Sequence, residues 1–194
     1  MKDSKGFSRY RAIDLTLFAV MLCVIESVLV TASTRWFPNE PYAVSVTAAV
    51  TAIVMMRWGP RAAIHALLGG LAFCVSSGAA PRQYLIYCGG NLFSLLALPL
   101  KRRMGEEAIR ADVLKTLLFG LCAVLLMEAG RALLSIMTGA ALSAALGFFT
   151  TDVVTVLFTL MIVWIVRRLD GVWEDQRHYL LRLREEQEKE RGGY

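Results

Sequence analysis

The sequence predicts an all-α integral membrane protein: six transmembrane helices, cytoplasmic N- and C-termini, and a C-terminal amphipathic helical tail. Three observations predict it. The 194 residues are 56% hydrophobic and only 19% charged, against roughly 45–50% and about 25% for an ordinary soluble domain. The apolar residues come in long blocks, as a chain solvated by lipid requires. The basic residues gather at alternate ends of those blocks. This pattern excludes a soluble enzyme, a disordered tail and a disulfide-stapled secreted domain. The length accommodates about six crossings of about 20 residues each, with little left for an extramembrane domain.

The first span, residues 12–32, follows a charged stretch containing Lys2, Lys5, Arg9 and Arg11. The block is long and has no small-residue cleavage site, so it reads as a retained helix. Its small residues Ala12, Thr16, Ala19, Cys23 and Ser27 form one stripe, along which another helix can approach closely. That helix belongs either to this chain or to a separate membrane subunit. The second and third spans, 42–56 and 62–77, are short and are joined by Arg57-Trp58-Gly59-Pro60-Arg61. The fourth span, 83–100, ends in the basic run Lys101-Arg102-Arg103. The fifth and sixth, 113–138 and 141–166, meet at a turn around Gly139. Gly and Pro punctuate three of the five connections. With the N-terminus inside, only Arg35, Arg82 and Arg131 of the 21 Lys and Arg residues fall in the outer half. That asymmetry supports both the span count and the orientation.

Residues 1–168 thus read as the membrane domain and 169–194 as a cytoplasmic tail. In the tail, Leu169, Val172, Trp173, Gln176, Leu180 and Leu183 recur at helical spacing among many charges. It reads either as a solvated extension or as a docking helix for a cytoplasmic partner. The net charge of +5 follows from topology rather than from nucleic-acid binding. Cys23, Cys74, Cys88 and Cys122 lie in apolar segments without a CxxC pair, so they read as reduced packing residues and not as a metal site.

Ionisable groups inside a span cost several kcal/mol unless paired or hydrated. Glu26, Glu128, Arg131 and Asp152 are such groups, and a rise of about 1.5 Å per residue puts them with Asn91 at similar depth, away from the basic face. Tyr84, Tyr87, Asn91 and Ser94 share one helical stripe, while Asp152, Thr155 and Thr159 share another. Two tyrosines and an amide offer stacking and hydrogen bonding to a ring-shaped polar ligand. Glu128 and Arg131, at i and i+3, can pair with each other or with that ligand. The blander readings are an internal ion pair and a helix–helix hydrogen bond. His65 reads as a packing or interfacial histidine and Asp14 as an interface charge. Gly69-Gly70 and Gly89-Gly90 point to close backbone contacts.

No nucleophile elbow, zinc-protease or Walker A motif occurs, so the expectation is a non-enzyme without cofactor. Glu106-Glu107 forms a solvated charge cluster. Met56-Arg57-Trp58-Gly59-Pro60-Arg61-Ala62-Ala63, Leu68-Gly69-Gly70 and Tyr84-Leu85-Ile86-Tyr87-Cys88-Gly89-Gly90-Asn91-Leu92-Phe93, with the length and span count, resemble the substrate-binding S component of energy-coupling-factor (ECF) vitamin transporters. The resemblance implies a bacterial plasma-membrane protein that takes up a water-soluble micronutrient together with a membrane coupling subunit and two cytoplasmic ATPases. It implies docking on the coupling subunit through Ala19 and Cys23, where Cys23 replaces the family's second alanine. It implies a ligand held by Tyr84, Tyr87, Asn91, Glu128, Arg131 and Asp152, with Trp36 and Arg82 as cap residues. With all of them charged, Glu26, Glu128, Asp152 and Arg131 make the set net acidic, which favours a cationic or amine-bearing ring; an Arg131 free of Glu128 would instead suit a carboxylate-bearing vitamin. The alternative is a structural scaffold resembling the rod-shape-determining membrane subunit.

Overall fold

The computed structural model describes residues 2–38, 44–169 and 171–192, and these are all-helical, with no strand among them. Positions 42 and 43 of the expected second span, 39–41 of the loop before it, and 170, 193 and 194 of the tail lie outside the described residues. Helix α1 runs Lys2–Trp36, α2 Thr47–Trp58, α3 Ala63–Ser77, α4 Pro81–Met104, α5 Glu106–Ala111, α6 Val113–Met137, α7 Leu142–Val166 and α8 Gln176–Gly192. Four are long and apolar enough to cross a membrane: α1 from Phe7 to Trp36, α4, α6 and α7. These mark the chain as membrane-embedded. Helices α2 and α3 have 12 and 15 residues, fewer than the ~20 that a lone span needs.

Helix α2 tolerates its shortness because protein surrounds it. Eleven of its residues are buried, many of them small (Ala48, Ala49, Thr51, Ala52). Helix α1 is the opposite case. It packs mainly against α3, and Leu22, Glu26 and Val30 on its inner face are buried at i, i+4 and i+8. Its other face, with Leu17, Val20, Val24 and Val28, stays more than half exposed. Exposed apolar side chains are the normal covering of a helix facing lipid.

Two glycine contacts bring α4 against its neighbours. A Cβ on Gly90 would lie 2.7 Å from the Arg131 backbone nitrogen, and one on Gly70 would lie 2.8 Å from that of Cys88. Without side chains at these points, α4 touches α6 and α3 backbone to backbone. Helix termini follow local rules. Gly78 ends α3 in the left-handed conformation (φ 66°), and Asp112 caps α6 by accepting from the Leu114 N–H at 2.8 Å.

At one end of the bundle a polar network ties six chain segments together. Asp14 on α1 accepts from Arg57 at 2.6 Å and from the Trp58 indole at 2.5 Å. Arg57 also donates to the Gly171 carbonyl at 2.6 Å and to that of Val172 at 3.1 Å. Lys101 donates to the Met55 and Met56 carbonyls and pairs with Glu106 at 2.7 Å. Arg110 pairs with Glu174, and Tyr10 donates to Gln176 at 3.0 Å. The start of α1, the ends of α2 and α4, helix α5, the segment before α8 and the first residue of α8 therefore meet here. Trp173 is buried against Phe119 with ring centroids 6.1 Å apart, so the beginning of the tail is packed rather than solvated.

Candidate functional site

The charges that are costliest in lipid converge. Arg131 on α6 is 3% exposed, and its guanidinium holds three partners at once. Nη1 donates to Glu128 at 2.9 Å and to Asp152 at 3.0 Å, while Nε donates to the Asn91 side-chain oxygen at 2.8 Å. The Asn91 amide in turn donates to the Ala66 carbonyl at 3.0 Å, which links the cluster to α3. The Tyr87 ring lies 5.0 Å from the guanidinium carbon and stacks on Phe73 at 4.2 Å. A cation over an aromatic face is attracted by the ring quadrupole.

Two backbone irregularities build this geometry. Helix α4 passes through a π-turn at Leu85–Gly89 and a 3-10 stretch at Leu92–Ala97, with Asn91 between them. Helix α7 breaks at Asp152, with φ −94° and ψ 13°, between Leu142–Thr151 and Val153–Val166. Such interruptions of regular helix recur at functional sites.

Glu26 of α1 is fully buried and makes no direct ion pair with Arg131 among the described residues. Its Oε2 accepts from the Val46 N–H at 2.9 Å, at the entry to α2. Its neighbour in that segment, Ser45, donates its N–H to Thr155 of α7 at 3.1 Å. The segment leading into α2 thus stitches α1 to α7. Glu26 Oε1 and Glu128 Oε2 are buried without a well-aligned hydrogen bond among the described residues, although the Ser45 and Thr47 hydroxyls stand near the Glu26 carboxyl and the Asp152 carboxyl near that of Glu128. A buried acceptor without a donor costs roughly 1–3 kcal/mol, and more when it is charged.

Of the residues singled out from the sequence, Tyr87, Asn91, Glu128, Arg131 and Asp152 meet directly, and Glu26 is buried without a direct ion pair to Arg131 among the described residues. Thr155 and Thr159 are buried on the same side of α7 as expected. Three do not join. Tyr84 is half-buried and makes no contact with the cluster, because the π-turn after it changes the angular register of α4. Trp36 is 75% exposed at the end of α1, lining an open cleft with Val28, Thr31 and Arg35. Arg82 donates to the Ser135 carbonyl at 3.2 Å, pinning the start of α4 to the end of α6. Ala19 and Cys23 are half-buried on α1. His65 is a buried packing residue, its Nε2 3.0 Å from the Leu15 carbonyl. Ser45 was not foreseen. It is a polar residue at a helix entrance and gave no pattern of its own.

No family model, curated protein or solved structure matches the chain.

Proposed function

We propose that the chain is the substrate-binding S component of an ECF-type importer in the bacterial plasma membrane. In this reading all six helical segments cross the bilayer, the basic end faces the cytoplasm, and the opposite side receives a water-soluble micronutrient. Helices α2 and α3 cross within the shelter of their neighbours. A membrane coupling subunit docks along α1 at Ala19 and Cys23, and two ATPases energise release.

One observation carries the reading: carboxylates from α6 and α7 pair with a single buried arginine, a third carboxylate, Glu26 of α1, is buried without an ion pair, and one oxygen each of Glu26 and Glu128 lacks a well-aligned donor among the described residues. Counted as ionised, Glu26, Glu128 and Asp152 outnumber Arg131 by two charges, a state that burial penalises unless a cation joins it. A ligand bearing an ammonium or a protonated ring nitrogen supplies both the missing charge and the missing donors. Tyr87 offers its ring to the same ligand. With Arg131 already committed to Glu128 and Asp152, a carboxylate-bearing ligand is the poorer fit.

The test is mass spectrometry of small molecules that co-purify with the protein in mild detergent, followed by titration of the molecule found. We expect one cationic compound, bound at least tenfold more weakly by Glu128→Gln, the loss of about 1.4 kcal/mol or more that a charge-assisted contact represents.

A structural scaffold is the second reading, and the mutual pairing of Arg131, Glu128 and Asp152 favours it. Under that reading no ligand co-purifies, and deletion rounds the cells instead of creating a vitamin requirement.

A further inference from the structure

A second cavity lies at the basic end of the bundle, where α7 leaves its apolar stretch. Its volume is about 470 Å³. Arg110, Arg167, Arg168 and Arg182 line it together with Glu174 and Glu186, an excess of two positive charges. The arginines are not equivalent. Glu174 is shared by Arg110 and Arg182. Arg167 spends Nε and Nη2 on the carbonyls of Arg110 and Ala111. Arg168 differs: it stacks on Trp164, 4.2 Å from the ring centroid, and its guanidinium makes no hydrogen bond or ion pair among the described residues. It is solvent-exposed, two residues beyond the last residue of α7.

Below this arginine runs an apolar stripe. Leu157, Met161 and Trp164 are 63%, 46% and 37% exposed at i, i+4 and i+7 on α7, and Arg168 stacks on Trp164 from the turn that follows the helix. A basic cavity over an exposed apolar stripe, at the end of a lipid-embedded helix and beside an interfacial tryptophan, has the shape of one amphiphile. We propose that this cavity binds the headgroup phosphate of an anionic phospholipid, with Arg168 as its principal contact and the acyl chain along Leu157, Met161 and Trp164. A free phosphate shares the headgroup chemistry but gains nothing from the stripe. The proposal does not depend on what the central cluster binds.

The experiment offers phosphatidylglycerol and phosphatidylcholine at equal concentration to the purified full chain in neutral detergent, and counts retained lipid by native mass spectrometry. Phosphatidylglycerol should be retained in preference. Arg168→Gln should lower that preference about fivefold, the worth of one interfacial cation, and Arg168→Lys should restore part of it. Arg103→Gln, an exposed arginine on the same face that does not line the cavity, should leave it unchanged. Equal retention of the two lipids overturns the proposal, as does an equal loss in the Arg168 and Arg103 variants. Displacement by inorganic phosphate as effective as by added phosphatidylglycerol also overturns it and assigns the cavity to a soluble anion. Unchanged thermal unfolding of Arg168→Gln in phosphatidylcholine micelles verifies that the comparison is made on folded protein.

Discussion

The protein buries charge in two places, and the two are built differently. At the basic end, Arg57 and Lys101 are each 5% exposed and spend their donors on carbonyls as well as carboxylates. Lys101 sits on the last carbonyls of α2, where cations suit both the unpaired acceptors and the helix dipole. No carboxylate oxygen of that network is left buried without a donor among the described residues. In the central cluster the arginine is equally well held, yet one oxygen of Glu128 and one of the buried Glu26 lack a well-aligned donor among the described residues. The contrast separates charge used to fasten helices from charge held ready for something else. A fully partnered network rigidifies; a partly partnered one destabilises unless a ligand completes it.

The largest effect should come from the residue that both uses of charge share in the centre. Arg131→Ala leaves Glu128 and Asp152 facing each other without a cation, and removing one partner of a buried pair costs about 3–5 kcal/mol. Thermal unfolding in detergent should show the variant far below wild type. A drop no larger than that of an exposed arginine variant would mean that the cluster is hydrated. Next in size is Arg57→Gln, which strips Asp14 of its ion pair and frees the Gly171 and Val172 carbonyls; a loss of about 2–3 kcal/mol is expected for hydrogen bonds to charged groups. This variant should also loosen the tail. Limited proteolysis should cut near Gly171 sooner than in wild type, and an unchanged cutting rate would detach the tail from the network. Gly90→Ala pushes a methyl into the Arg131 backbone, and overpacking of this kind costs typically about 1–3 kcal/mol. It should weaken the central cluster and leave the basic end untouched, as hydrogen exchange at each end can show.

Much of the central cluster was legible before any coordinates, because cost in lipid is a property of residue type and depth. Glu26, Asn91, Glu128, Arg131 and Asp152 are expensive wherever their helices point, so their shared depth follows from counting residues along each span. Of the pairs Gly69-Gly70 and Gly89-Gly90, which the sequence marks as close backbone contacts, Gly70 and Gly90 meet neighbouring backbone while Gly69 and Gly89 meet the side chains of Thr47 and Leu134. What periodicity could not give was angle. Tyr84 fell off its stripe because α4 is not a regular α-helix there, and no residue in Leu85–Gly89 announces a π-turn. The basic-end network was illegible for another reason. Asp14 and Arg57 are 43 residues apart, as are no neighbours on one helix, and only the packing of α1 beside α2 makes them partners. The apolar blocks mark six spans, a count the charge asymmetry supports, and among the described residues the structure gives four of them the length and apolarity to cross alone.

The smallest effect on stability is also the sharpest test of the comparison. Glu26→Gln replaces a carboxylate whose Oε1 lacks a well-aligned donor by an amide of the same shape, and it removes one negative charge from an acidic site. Stability should change by less than about 1 kcal/mol, or rise, since an uncompensated buried charge is itself a cost. Ligand retention should fall sharply. Asp14→Asn makes the matching change at the basic end, where the carboxylate accepts from Arg57 and Trp58. There the order should invert: stability falls by about 1–3 kcal/mol and ligand retention holds. The paired readout separates the two regions because each variant moves the quantity that the other leaves alone. If Glu26→Gln destabilised the fold as much as Asp14→Asn while binding stayed intact, the central carboxylates would be fasteners too, and the scaffold reading would take precedence over the importer.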